Sequence, residues 1–235
     1  MTSPTTDPGQ TVTSPSIDQP VVAVAEAPAG RPRALVVLLA VVSAIALLAA
    51  GAGLAVATGL GGGRTPGERS VDAGFARDMS THHVQATEMA QVVRDGGTDP
   101  AVRLMAFDIE TQQLNQIGQL RGWLQSWGLT GDSQERPMAW MAGGHSVQPG
   151  ELMPGMATTT ELAKLRSLSG RPLDVYFLQL MIRHHHGGLE MAQEAAAHAS
   201  EPYVRDLATK ITQAQQAEVV TMEQMLRERG GQPLS

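Results

Sequence analysis

The chain carries one stretch of sequence twice, and this duplication limits what it can fold into more than any other feature. Residues 72–128, shifted by 102 positions, align with residues 174–230 without a gap and with 17 identities in 57 pairs. Unrelated segments would share about 3 or 4 of these positions. We therefore expect two copies of one structural unit, joined by a linker over residues 129–171.

Each copy has the pattern of a helical hairpin. Apolar residues recur at steps of three and four, which is the spacing of one helix face. Asp95-Gly96-Gly97 is expected to end the first helix, Thr98 to cap the return helix and Pro100 to occupy its first turn. The predicted helices lie near residues 71–95, 99–127, 172–198 and 201–229.

Two such hairpins predict an all-α fold, a duplicated helical-hairpin four-helix bundle that forms one domain over residues 71–230. A pseudo-twofold axis along the bundle would set its first and third helices diagonally across the core. The histidines of these two helices would then lie at similar depth.

An uncharged stretch precedes the bundle. Residues 1–33 are rich in Pro, Ser and Thr, and we predict a disordered tail there. Residues 34–60 carry no charge and as a helix would span about 40 Å, more than the roughly 30 Å of a hydrocarbon layer. We predict a single transmembrane signal-anchor helix in the cell membrane and a flexible linker over residues 61–70. The bundle would then be extracytoplasmic; secretion after cleavage near Ala57 is the alternative.

The composition restricts the chemistry that is available to the bundle. A net charge of -6 without a basic cluster argues against nucleic-acid binding. The chain has no cysteine, which excludes disulfides and thiolate metal sites. All 7 histidines and 11 of the 12 methionines lie after residue 78. Any soft-metal site must therefore use imidazole and thioether groups.

Each copy carries the motif Met-x-x-His-His-x5-Met. On a helix these side chains fall within about 120° of one another, on the side that faces the core. Imidazole and thioether without thiolate favour copper, particularly Cu(I). The predicted helix ligands are Met79, His82, His83, Met89, Met181, His184, His185 and Met191. The alternative is that the methionines fill the core and the histidines form ordinary hydrogen bonds.

Two further features could complete such a site. Asp78 lies one turn before His82 and could orient its ring. In the linker, the Pro-Gly step between Met153 and Met156 predicts a turn that brings both thioethers together. This pair would close over the histidines or hold a second, weaker ion, and simple docking over the bundle is the alternative.

The repeated motifs resemble a known bacterial family, the domain of unknown function 305 (DUF305) family. The similarity rests on Phe75-x3-Met79-x2-His82-His83-x2-Ala86-x2-Met89-Ala90, Met153-Pro154-Gly155-Met156, Phe177-x3-Met181-Ile182-x-His184-His185 and Gln215-x2-Glu218-Val219-x2-Met222. It implies a ferritin-like four-helix bundle outside the cytoplasm, and some members bind copper and support copper tolerance. Gln116 and Leu120 depart from the family pattern, which favours Glu and Met there, so the site is expected to be asymmetric.

The leading hypothesis is therefore a membrane-tethered extracytoplasmic protein that binds and buffers copper. A non-metal interaction module built on the bundle is the first alternative. A ferritin-like oxidoreductase is the second, but the sequence contains no Glu-x-x-His motif, and Glu88 and Glu190 should face away from the core. No catalytic constellation is complete, so we do not expect an enzyme.

Overall fold

The computed structural model describes residues 33–58, 65–143 and 146–234. Over these ranges the chain forms helices and no strand. The helices are α1 (Arg33–Thr58), α2 (Val71–Gly96), α3 (Pro100–Ser126), α4 (Thr159–Ser167), α5 (Gly170–His198) and α6 (Pro202–Glu228). The four helices predicted for the bundle are α2, α3, α5 and α6, and each end lies within about two residues of its prediction.

The chain divides near Gly61 into two units, with α1 in the first and the other helices in the second. Among the described residues, no helix combines the length and the apolarity that crossing a membrane requires. Residues 1–32 of the predicted tail and residues 59–64 lie outside the described residues.

The second unit consists of two hairpins, α2–α3 and α5–α6. The side chain of Ser70 caps α2 by accepting from the Ala73 N–H. At the start of α3, Asp99 is the cap and accepts from Ala101 at 2.9 Å, so the prediction of Thr98 as the cap is wrong by one residue. The Thr98 side chain instead donates to Asp174 of α5.

The two central helices, α2 and α5, run antiparallel. Asp72 at the start of α2 accepts from the Glu201 N–H just beyond the end of α5, at 2.8 Å. Asp174 near the start of α5 accepts from the Asp99 N–H just beyond the end of α2, at 3.1 Å. The pseudo-twofold axis therefore runs perpendicular to the long axes of these two helices. The predicted axis along the bundle is wrong, because it would make α2 and α5 parallel.

The core consists of two apolar clusters with a polar layer between them. One cluster joins the second half of α2 to the first half of α5, and the other joins the remaining halves. Between them, at mid-helix, lie side chains that we call the histidine layer. They are His82, His83, Gln113, His184, His185 and Gln215.

Candidate metal centre

The four predicted histidines lie together at the middle of the bundle. All of them have 0% of their surface exposed to solvent. The rings of His82 and His184 lie against each other, with centroids 3.8 Å apart and planes inclined by 37°. The antiparallel pairing brings them together because both histidine pairs lie near the midpoints of their helices, next to the twofold axis.

The outer histidine of each pair is held by the return helix of its own hairpin. His83 donates through Nε2 to Oε1 of Gln116 at 2.6 Å. His185 donates through Nε2 to Oε2 of Glu218, also at 2.6 Å. Both Nδ1 atoms are buried and have no hydrogen-bond partner among the described residues. Metal-binding histidines usually donate their other ring N–H in this way, so Nδ1 is the atom available to an ion.

The inner histidines, His82 and His184, make fewer hydrogen bonds than the outer pair. His82 donates through Nε2 to the Pro154 carbonyl at 3.1 Å, and its Nδ1 has no partner in the described part of the chain. Neither ring nitrogen of His184 has one, and both amide atoms of Gln215 are also unpaired there. A buried polar atom without a partner costs about 1–3 kcal/mol. Their concentration in one layer fits a site for a ligand that accepts lone pairs.

Burial favours the neutral form of three of these imidazoles, those of His82, His83 and His184. It lowers the pKa of His82 to about 4 and, together with the neighbouring His82, lowers the pKa of His83 to about 3. Burial also holds the pKa of His184 well below its ordinary value, and the nearby histidines act in the same direction. A neutral ring offers a nitrogen lone pair, which is the form that binds a metal ion.

The predicted methionines are buried but do not form one group. Met89 and Met181 belong to one apolar cluster, whereas Met79 and Met191 belong to the other. The antiparallel helices explain this, because a methionine before the histidines on α2 faces one after the histidines on α5. Met79 and Met181 therefore lie in different apolar clusters, on opposite sides of the histidine layer.

The linker methionines lie on one side of the histidine layer only. Met153 is buried in the cluster that contains Met79 and Met191, and Met156 packs against that cluster partly exposed. The Pro-Gly step makes the predicted turn, with the Met156 N–H donating to the Met153 carbonyl at 3.2 Å.

Asp78 does not orient His82. Its Oδ2 atom accepts from the Met138 backbone N–H and from the Trp140 indole, both at 2.7 Å. This carboxylate therefore holds the linker against α2. The side chains that do orient the outer histidines are Gln116 and Glu218, each 33 residues after its histidine. That shared spacing within the duplication is the sequence signal that could have identified the pair.

No three His, Asp or Glu side chains in the described ranges come close enough to hold one ion. A metal in this layer would therefore draw on thioether or amide donors beside imidazole. Glu88 pairs with Arg166 and Glu190 is exposed, so neither carboxylate points into the layer.

The chain belongs to the DUF305 family. The sequence profile of this family, described as a domain of unknown function, matches residues 72–226. A crystal structure from Streptomyces coelicolor, named as a candidate secreted DUF305 protein, is 43% identical; it covers 72% of this chain and 99% of its own, with a TM-score of 0.67. A DUF305 fragment from Deinococcus radiodurans is 31% identical, covering 69% of this chain and 99% of its own, with a TM-score of 0.58. No curated protein matches the sequence significantly.

The fold is also shared with CopM. Its Cu(II)-bound structure is 23% identical and its Cu(I)-bound structure 24% identical, with TM-scores of 0.52 and 0.51. Each match covers 67% of this chain and 96% of CopM. At this level of identity the likeness establishes the fold alone.

Proposed function

We propose that this chain is a membrane-tethered extracytoplasmic protein that binds and buffers copper, chiefly as Cu(I). The observation that carries the proposal is the histidine layer, in which four imidazoles are buried with unpaired nitrogen atoms in the described structure. A core without a ligand function would gain stability by replacing these groups with apolar side chains.

The donor set determines the choice of metal. Imidazole nitrogen and thioether sulfur without thiolate or a carboxylate cluster suit Cu(I) better than zinc or hard cations. CopM, which shares this fold, has been solved with Cu(I), Cu(II) and silver bound. Of these, Cu(I) and silver are soft ions, which agrees with the donors proposed for the present chain.

The ligands we propose fall into three groups. The histidines His82, His83, His184 and His185 would supply nitrogen. The helix methionines Met79, Met89, Met181 and Met191 would supply sulfur on the two sides of the layer, and Met153 and Met156 would supply it from the linker. The ion is cargo in this proposal.

We further propose that residues 34–60 anchor the domain in the lipid bilayer with the bundle outside the cell. The described side chains of α1 from Val36 to Leu48 include large apolar groups that are 49–75% exposed, and a bilayer would cover them. The proposed span extends past the described residues, because residues 59 and 60 lie outside them. The Streptomyces coelicolor relative, named as a candidate secreted protein, agrees with an extracytoplasmic location.

Copper titration of the purified protein tests the metal assignment. We expect at least one Cu(I) per chain in anaerobic competition with a chromogenic chelator, and a large loss of affinity in the variant H82L/H184L. The matched control is H186L/H198L, which removes two exposed histidines. Equal affinity in both variants would show that copper binds elsewhere. An absence of binding by the parent protein would refute the proposed function.

A reporter fusion tests the location. A reporter enzyme that is active only outside the cytoplasm, fused after Ser235, should be active. The mass of the mature protein distinguishes a retained anchor from cleavage near Ala57. Activity of a cytoplasm-specific reporter at the same position would contradict the topology.

A further inference from the structure

A single turn of the linker lies directly on the histidine layer. The Pro154 carbonyl accepts the hydrogen bond from Nε2 of His82 at 3.1 Å. Gly155 has a φ of +80°, and a Cβ there would lie 2.5 Å from the Arg183 carbonyl. Gly187 on α5 lies beneath Pro154, and a Cβ at Gly187 would overlap the Pro154 carbonyl. The turn therefore approaches the helix as closely as two glycines allow.

A comparison of the two copies explains why the turn contacts α2 and α5 differently. Gln85 and Gly187 occupy equivalent positions in the two copies, 102 residues apart. Gln85 grips the end of the turn, since its amide donates to the Ala157 carbonyl at 2.9 Å and accepts from the Ala157 N–H at 2.6 Å. The equivalent glycine has no side chain and leaves the space that Pro154 fills. Gln85 therefore attaches the turn to α2, and Gly187 allows the turn to contact the backbone of α5.

The two ends of the segment are held differently. Ala157 is fixed to α2 by both hydrogen bonds of Gln85, and Ala157 itself is buried. On the other side, Gly150 has a φ of +88° and nothing within 4 Å of its Cβ position. Ala157 is therefore the fixed point. Gly150 has room for backbone rotation, but it lies in a turn in which the Glu151 N–H donates to the Gln148 carbonyl at 3.0 Å, so movement at this end breaks only local hydrogen bonds.

With the turn seated, the histidines have no exposed surface. An ion must therefore displace part of the protein to reach them. The hydrogen bond from His82 to Pro154 is the only one that joins a histidine of the layer to the linker among the described residues. Lifting the turn breaks that bond and frees Nε2 of His82. The two methionines that flank the Pro-Gly step, Met153 and Met156, move with it.

We propose that the turn Met153–Met156 is a gate for metal entry to the histidine layer, closed by the Pro154–His82 hydrogen bond and by the close approach that Gly187 permits. This inference rests on the proposed copper function and adds its entry route. The gate favours an ion that sheds its water easily, because the histidines of the closed site have no surface in contact with solvent. Soft Cu(I) meets this condition better than hydrated divalent cations.

Replacing Gly187 by alanine tests the gate. The new methyl group must push the Pro154 carbonyl away and so weaken its bond to His82. Since a net hydrogen bond contributes about 0.5–1.5 kcal/mol, we expect uptake of Cu(I) from a weak chelator to be about three to ten times faster in stopped-flow measurements. Amide hydrogen exchange at Met156 should accelerate as well.

The matched control is Gly118→Ala. Gly118 is also inside a helix, but nothing lies within 4 Å of its Cβ position. Both substitutions improve helix propensity by the same amount, so any difference between them comes from the turn. Gly118→Ala should keep the parent rate of uptake.

A second variant, Gly155→Ala, disturbs the same contact from the linker side through steric overlap and an unfavourable positive φ. Accelerated exchange at Met156 without faster uptake, in either gate variant, would overturn the gate. Parent-like exchange and parent-like uptake in both variants would also overturn it. A parent protein that binds no Cu(I) at equilibrium would instead refute the proposed function, a result that the titration reveals independently of any rate.

Discussion

The two copies place the same imidazole at the same point of the fold but give it different partners. His83 donates to the neutral amide of Gln116, and His185 donates to the carboxylate of Glu218, both over 2.6 Å. A negatively charged acceptor strengthens the hydrogen bond and raises the electron density of the imidazole ring. The opposite ring nitrogen then binds a metal ion more tightly. The duplication thus preserved the geometry of the pair while its electronic character diverged.

The two sides of the histidine layer differ in a second way. On one side, Met89 and Met181 share their cluster with Met222 of α6. On the other side Met79 and Met191 share their cluster with Met153 of the linker. A linker that passes over the layer once cannot serve both sides of a twofold axis equally. A nearly symmetric scaffold therefore carries an asymmetric site.

The largest expected effect comes from removing both outer histidines. H83L/H185L should lower the Cu(I) affinity by about a thousandfold, because each lost ligand costs at least the ten- to hundredfold typical of weaker second-sphere changes. Leucine preserves an apolar core, so the helical circular dichroism should persist. Between the single variants, H185L should lose more affinity than H83L. Equal losses would remove the distinction between the copies, and unchanged affinity in the folded double variant would exclude the outer histidines.

The sequence predicted the four helices and the burial of the histidines. Helical periodicity can be read within one segment, and the duplication shows the same pattern twice, so neither prediction depends on how the helices pack. The orientation of the twofold axis was predicted wrongly. It depends on how Asp72 and Asp174 reach across to the opposite hairpin, and a repeat has the same sequence in either orientation. The partition of Met79 and Met181 follows from that orientation. The contact between Pro154 and Gly187 could not be predicted either, because the sequence does not show which segment approaches a glycine inside a helix.

Acid should destabilise the metal-free protein through its buried imidazoles. In the unfolded chain a histidine has a pKa of about 6.5, whereas burial lowers that of His82 to about 4. Between these values the unfolded state binds more protons, so stability is full above about pH 6.5 and falls as the pH decreases. From pH 7 to about pH 4.5, His82 alone should cost about 2–3 kcal/mol in urea unfolding.

Burial raises the pKa of Asp78, which opposes the effect of the histidines as the pH falls, so a comparison of variants is needed to isolate the histidine contribution. Glu161, whose pKa the hydrogen bonds from Arg183 lower to about 2, contributes only below its ordinary value of 4.5. H82L should reduce the dependence by the His82 contribution, whereas H198L, which removes an exposed ring, should leave it unchanged. Because burial lowers the pKa values of His82 and His83, copper should remain bound well below pH 6.5, where a site of exposed histidines would release it. A free energy of unfolding that stays constant from pH 7 to 4.5 would show that the layer takes up protons while folded.

Exchanging the partners of the outer histidines should have a smaller effect. E218Q gives the second copy the amide of the first, and we expect it to weaken Cu(I) binding by about tenfold. Q116E makes the opposite exchange and should strengthen binding by a similar factor. The combined variant E218Q/Q116E transfers the carboxylate to the other copy and should restore nearly the parent affinity. Losses in both single variants would mean that packing, rather than charge, governs these positions.

The smallest effect should distinguish the two sides of the layer. M79L/M191L and M89L/M181L each remove one methionine pair at nearly constant volume, so each should change stability by less than about 1.5 kcal/mol. Met153 joins Met79 and Met191 on one side, and Met222 joins Met89 and Met181 on the other. Of these two additional methionines, Met153 lies in the turn whose Pro154 carbonyl accepts from His82, so we expect a soft ion on the side of Met153. We therefore expect M79L/M191L to lower the Cu(I) affinity by about tenfold, or 1.4 kcal/mol, and M89L/M181L to leave it nearly unchanged. Competition with a Cu(I) chelator at pH 7 measures both variants under identical conditions. Equal losses would place the ion on the twofold axis, and a greater loss in M89L/M181L would place it on the side that the linker does not cover.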